Sequence, residues 1–158
     1  MVSITLPAGN VRRFEHPVSS KELAASIGPG LAKAALAIRI DGEMKDLAAK
    51  IDKDANVSIV TAKDADALEL LRHDAAHVMA QAVQELYPGT QITFGPSIEN
   101  GFYYDFVREE PFTPEDFERI EQRMKEIVDR DLPIRREVWS REDAIRHFQD
   151  KGEKYKAE

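Results

Sequence analysis

Two histidines, His73 and His77, stand four residues apart in the run RHDAAH (72–77). Residues four apart on a helix share a face, with Cβ atoms roughly 6 Å from each other. Imidazoles so placed can order a water or hold a hydroxyl, or they can simply face solvent. The metalloprotease pattern does not fit, because it needs Glu directly after the first histidine and Asp74 stands there. Zinc wants three or four protein ligands. No third ligand is evident nearby and the chain has no cysteine, so no metal ligand is expected. A second patch is GFYYDF (101–106). Alternate side chains of a strand share a face, so Phe102, Tyr104 and Phe106 form one set and Tyr103 and Asp105 the other. Gly95-Pro96 and Gly101 supply bends that let backbone approach a ligand. The plain alternative for this patch is a core hairpin packed on a long helix. His16 and His147 read as surface residues, and Trp139 as a packing anchor.

The elements that must position these residues follow from pattern. Asp64 or Asp66 can cap a long helix over 66–87, ended by Pro88-Gly89. At about 100° per residue, Leu68, Leu71, Ala75, Val78, Met79, Ala82 and Leu86 make one apolar stripe. His73 and His77 fall nearly opposite, beside Leu70, Ala80, Gln81 and Gln84. They are therefore expected on a cleft floored by the Tyr104 hairpin, with solvent access. QITFGPSI (91–98) and GFYYDF read as that hairpin, joined by Glu99-Asn100-Gly101. TPEDFERIEQRMKEIVDRD (113–131) is the clearest helix, with Thr113 as cap, Pro114 at the first helical position and Asp116 completing a box. LPIRREVW (132–139) reads as a strand, SREDAIRHFQDKG (140–152) as a capped helix, and KYKAE (154–158) as the opening of another strand.

The first 62 residues read as a small sheet protein. VSITL (2–6) and VRRFEH (11–16) form a hairpin across PAGN. Ser19 or Ser20 caps the helix KELAASI (21–27), with Glu22 near its positive end. GPG (28–30) stops it. ALAIRI (35–40), the turn Asp41-Gly42, EMKDLA and NVSIV (56–60) complete an order β-β-α-β-β-β. That order suggests a β-grasp, ubiquitin-like unit. The boundary falls at Thr61–Asp64, so the domains are 1–62 and 63–158 and the fold class is α+β.

Bulk properties narrow the function classes. Net charge is −7, unevenly spread: residues 1–62 hold 8 Lys+Arg against 7 Asp+Glu, and residues 63–158 hold 14 against 22. An acidic segment is not a generic nucleic-acid binder, since phosphate binding needs a positive face. The arginines of RREVWSR (135–141) allow a local basic groove or a solvated strand edge. No apolar run approaches the roughly 20 residues needed to cross a bilayer. The N-terminus lacks the basic start and apolar core of a secretory signal, so a cytoplasmic location is expected.

Taken together, LLRHDAAHVMAQAVQELYP and ITFGPSIENGFYYDF after a β-grasp unit resemble the N-terminal region of the bacterial threonyl-tRNA synthetases. The resemblance covers essentially the whole chain and is specific as a combination. It implies a TGS domain at 1–62 and the N-terminal part of an editing domain at 63–158, of the threonyl/alanyl-tRNA synthetase type and cut short. It implies a full-length enzyme that attaches threonine to its tRNA with ATP and hydrolyses tRNA mischarged with serine. Residue by residue, His73 and His77 match the family's H-x-x-x-H pair, Tyr104 a pocket tyrosine, and Lys156 the lysine proposed to assist hydrolysis. No cofactor is implied for this segment. ATP, magnesium and zinc belong to the catalytic domain that this segment lacks, and a homodimer would form through the absent domains. The partner implied is threonine-specific tRNA, with no membrane. By itself the segment is expected to be inactive. Two other classes stay open: a non-catalytic RNA- or protein-binding adaptor carrying a β-grasp unit, and a metal-dependent hydrolase.

Overall fold

The computed structural model describes residues 1–158, which divide into two compact units, Met1–Leu68 and Glu69–Glu158. In the first unit, β1 (Val2–Thr5) pairs antiparallel with β2 (Val11–Phe14) in the register Val2↔Phe14. After the two-residue strand β3 (Val18–Ser19), α1 (Ser20–Ile27) begins on Ser19. Ser19 and Glu22 close a reciprocal cap, in which the Glu22 amide donates to Ser19 Oγ at 3.2 Å and the Ser19 amide to Glu22 at 2.8 Å. These bonds hold the Glu22 carboxyl below its usual pKa, the Ser19 amide being the main cause. A second helix, α2 (Pro29–Ala34), was not anticipated. Gly28-Pro29 ends one helix and also opens the next, because Pro at the first helical position needs no partner for a missing N–H.

Next come β4 (Ala35–Ile40), β5 (Glu43–Lys45), β6 (Lys50–Ile51) and β7 (Ala55–Thr61). The five-stranded sheet runs β2-β1-β7-β4-β5. Only β1 and β7 pair in parallel, Ile4 lying against Ala55. Asp41 and Gly42 both take positive φ, 49° and 90°, the backbone of a tight hairpin turn. The short β3 pairs with β6, Val18 opposite Ile51. Sheet and α1 close over one core of Val2, Ile4, Val18, Leu23, Ile38, Ile51, Ala55 and Val57.

The second unit is built on α3 (Ala67–Leu86), which carries the histidine pair. Its buried side keeps part of the anticipated stripe, Ala82 being buried and Val78, Met79 and Leu86 packing on the same cluster, but departs from it elsewhere. Leu68 and Leu71 are exposed, whereas Ala76, Ala80 and Val83 are buried along with Ala82. Four two-residue strands follow: β8 (Gln91–Ile92), β9 (Ser97–Ile98), β10 (Gly101–Phe102) and β11 (Phe106–Val107). They form a hairpin broken in the middle. At the tip Phe102 faces Ser97, and at the base Phe106 faces Ile92. Four residues on one arm (93–96) therefore face three on the other (103–105), a bulge at Gly95-Pro96 where proline has no amide to donate.

Helix α4 (Pro114–Asp129) follows Thr113, whose amide donates to Asp116 at 2.9 Å. Its Ile120 and Ile127 join Ala82 and Val83 in the buried cluster. Residues 132–139 form no strand. Leu132, Ile134 and Val138 stand exposed, because strand composition without a neighbouring strand leaves every backbone pair unmade. Trp139 is 47% exposed, not an anchor in a core; it meets His147 edge-on at 4.7 Å and donates to Glu137. His147 is accordingly half-buried rather than a free surface residue. Helix α5 (Arg141–Asp150) starts on Ser140, which accepts the Asp143 amide. The expected final strand is instead a short helix, α6 (Lys154–Ala157). The whole is α+β, with a mixed sheet in the first unit and helices dominating the second.

Candidate functional site

His73 and His77 lie side by side on α3, their Nε2 atoms 3.0 Å apart and their rings edge-to-face at 4.6 Å. That contact needs one Nε2–H and one bare Nε2, so the pair as placed cannot be doubly protonated. Burial, then the charge of His73, push the His77 pKa below its ordinary 6.5; Asp74 pulls the other way, and Lys156 adds the smallest contribution. These influences favour a neutral His77; in the tautomer that donates its Nε2–H to His73, the bare Nδ1 keeps a lone pair for a water or hydroxyl. Both rings keep access to solvent.

Next to His73, Arg72 donates to the Ile98 carbonyl at 3.2 Å and to that of Glu99, fastening the hairpin tip to α3. Gly95 then admits the Tyr104 ring. A Cβ there would sit 2.1 Å from Tyr104 Cδ2. Tyr104 stacks on Phe106 at 5.0 Å, and burial, with the Glu153 charge second, raises its hydroxyl pKa. As the strand period requires, Phe102, Tyr104 and Phe106 share the inner side while Tyr103 and Asp105 are exposed. With Met79, Val83 and Phe117 they line a cavity of about 480 Å³. The histidines are not among its walls, so the single cleft anticipated for His73, His77 and Tyr104 is not formed as one cavity.

Lys156 rides on α6, which packs against β8. The Lys154 amide donates to Gln91 at 3.1 Å. Its other anchor is Glu153, which accepts from Gln84 on α3 at 2.6 Å. Lys156 directs its Nζ over the Phe148 ring at 5.5 Å and reaches His77 only as the weakest of the influences on that ring, while the Glu153 charge reaches Tyr104. Pattern had placed Gln84 beside the histidines. Glu153 gave no signal, because its partner lies 69 residues away in sequence. No three His, Asp or Glu side chains converge to hold a metal ion.

Residues 2–61 match the TGS domain. A threonine-tRNA ligase of Rhodospirillum rubrum is 71% identical over 158 residues, covering 100% of this chain and 25% of the relative. Those of Paramagnetospirillum magneticum and Thiobacillus denitrificans are 70% and 68% identical, again over 100% of this chain and 25% of the relative. This chain spans about a quarter of the length of the relatives it matches. It carries a TGS domain at residues 2–61 and aligns from end to end with the N-terminal part of the bacterial threonyl-tRNA synthetases.

Proposed function

We propose that the chain is the TGS domain (1–62) and the first part of the editing domain (63–158) of a threonine-tRNA ligase, and that the second part serves hydrolysis of serine-mischarged tRNA in the full-length enzyme. The observation that carries this is the His73–His77 pair, Nε2 to Nε2 at 3.0 Å on a solvent-accessible side of α3. Discriminating threonine from serine by one methyl group yields only about 1–3 kcal/mol, so a hydrolytic second site meets a physical need.

In this reading His77, neutral, orders the attacking water or holds the ribose hydroxyl, and His73 fixes its orientation through the shared Nε2 contact. The ester carbonyl develops negative charge during attack, and the Lys156 ammonium stabilises it. Tyr104 forms part of the aminoacyl pocket. Attachment of threonine, with its ATP, magnesium and zinc, belongs to a domain outside these residues, as does dimerisation. The partner is tRNA, and the enzyme works in the cytoplasm.

The test is hydrolysis of pre-formed seryl-tRNA by the full-length enzyme, its His73→Ala/His77→Ala variant, and this chain alone. The variant should lose about 10²–10⁴-fold in deacylation while keeping threonine attachment. This chain alone should deacylate little. Normal deacylation by the variant would remove the histidines from the mechanism. Absence of deacylation and of threonine attachment in the full-length protein would favour an RNA- or protein-binding adaptor.

A further inference from the structure

Arg72 is the only arginine or lysine of α3, and it stands next to His73. It is half-buried and keeps access to solvent. Five other arginines of the second unit, Arg108, Arg119, Arg123, Arg130 and Arg146, lie against carboxylates. Arg72 has no carboxylate partner, although Glu69 and Asp74 flank it on the same helix. Residues 63–158 hold 22 Asp+Glu against 14 Lys+Arg, so acids are not scarce around it.

A guanidinium carries its N–H donors in one rigid plane. On Arg72, Nη1 donates to the Ile98 carbonyl at 3.2 Å and to the Glu99 carbonyl. The Nε–H and the N–H groups of Nη2 make no hydrogen bond within the chain. Nε and Nη2 form one edge of the plane, with parallel donors, the shape that meets two oxygens of a phosphate or carboxylate. The two carbonyls hold the opposite corner, so the free edge is oriented in advance and loses little side-chain freedom on binding. The Arg72 charge is absent from the influences on the His77 ring, whereas that of Lys156 is among them. The guanidinium therefore stands off from the imidazoles, on the hairpin-tip side of α3.

We propose that this free edge binds a phosphodiester of the tRNA 3′ end, the one joined to the ribose that carries the aminoacyl ester, making Arg72 a tRNA-binding residue. The inference rests on the editing reading above. On a nucleotide the 5′-phosphate lies across the ribose from the esterified hydroxyl. A group that holds the phosphate must adjoin the groups that handle the ester without crowding them. Arg72 meets both conditions. Adjacent Cα atoms are roughly 3.8 Å apart, which keeps it beside His73, and its side chain is turned to the hairpin tip. A carboxylate also fits the fork, but the ester linkage has consumed the carboxyl of the amino acid. Phosphate is the anion this substrate retains, and a phosphate contact fixes register without reading sequence.

The experiment uses the full-length enzyme and its Arg72→Gln and Arg72→Lys variants. Two substrates are compared by kcat/KM: seryl-tRNA over a series of salt concentrations, and the serine ester of adenosine, which carries no phosphate. Arg72→Gln should lose about 10–100-fold on seryl-tRNA. Its plot of log kcat/KM against log salt should be shallower by about 0.7, the share of one phosphate on a single strand. Arg72→Lys keeps the charge and should keep the slope. On the adenosine ester Arg72→Gln should match the wild type, with threonine attachment reporting an intact fold. Equal losses on both esters would mean that Arg72 only holds the hairpin tip against α3, and would overturn the proposal. So would an unchanged salt slope in Arg72→Gln, or no loss on either ester. Should the wild type cleave seryl-tRNA alone, the salt slope decides. If the wild type hydrolyses neither ester, the editing reading itself fails and this inference with it.

Discussion

The two units bury their apolar residues in different ways. In Met1–Leu68 the largest enclosed side chains, Ile4, Leu23 and Ile38, come from β1, α1 and β4, and the sheet around them is five strands wide. In Glu69–Glu158 the buried cluster is Ala82, Val83, Ile120 and Ile127. Around it the strands are two residues long, and Phe94, Phe117, Leu132, Ile134 and Val138 stay in contact with solvent. A β-grasp sheet satisfies its own backbone and closes on its own helix. The second unit leaves polar backbone, an apolar cavity and an extended segment open. The candidate chemistry sits in the unit with the open surfaces, where side chains can meet a substrate.

This contrast predicts unequal responses to truncation. Ile38 is fully buried at the middle of β4, opposite Ile59 and Lys45. Ile38→Ala should destabilise the first unit by about 2–5 kcal/mol. Ile120 already borders the open cavity of the second unit. Ile120→Ala widens an existing opening instead of leaving a sealed void, so its loss should fall at or below the lower end of that range, about 2 kcal/mol. Native-state hydrogen exchange, read amide by amide in β7 and in α4, measures both. Equal losses would erase the distinction between the units.

A smaller effect sharpens the same contrast from within the second unit. Gly95 is the place where that unit is tightly packed, since a Cβ would overlap the Tyr104 ring. Gly95→Ala should cost about 1–3 kcal/mol through displacement of the ring and break the Tyr104–Phe106 stacking. A Tyr104→Ala background should relieve most of that cost, and a double-mutant cycle on thermal unfolding reads the coupling. Additive losses would mean the glycine matters for backbone freedom alone.

What the sequence made legible is what short-range physics decides. The Ser19–Glu22 cap, the Asp41-Gly42 turn, the Thr113–Asp116 cap and the alternation of GFYYDF all depend on residues within a few positions of one another. The failures are long-range. Residues 132–139 have strand composition, but a strand exists only with a partner, and none lies beside them. Residues 154–157 are too few to show a period, and their helix is held by contacts from Gln84 and Gln91. Along α3, the pattern places Leu68 and Leu71 in the apolar stripe, yet both are exposed, while Ala80, assigned to the histidine side, is buried. In the site, the histidine pair was visible as a spacing, and Glu153 became visible only when the fold closed across 69 positions.

The smallest effect concerns the join between α3 and α4. Glu85 accepts from Arg130 at 2.8 and 2.9 Å, from Arg123 at 3.1 Å and from Gln81 at 3.0 Å. The Arg130 bonds are the main cause that brings its carboxyl from an ordinary 4.5 down to about 2. The side chain is still 27% exposed, so solvent screens the pairs and their net worth is about 1 kcal/mol. Because the folded value lies below the unfolded one, this stability is fully present above pH 4.5 and is lost as the pH falls toward 2. Glu85→Gln should therefore lower unfolding stability by about 1 kcal/mol at pH 7, and the gap between variant and wild type should close in acid. Other depressed carboxyls of the unit, such as Asp116 beside Tyr87, titrate alike in both proteins and cancel in the difference. Urea unfolding of the pair at pH 7, 4 and 2.5 supplies the comparison. A gap that stays constant to pH 2.5 would mean Glu85 contributes through its shape and hydrogen bonds, and that the α3–α4 join is not electrostatic.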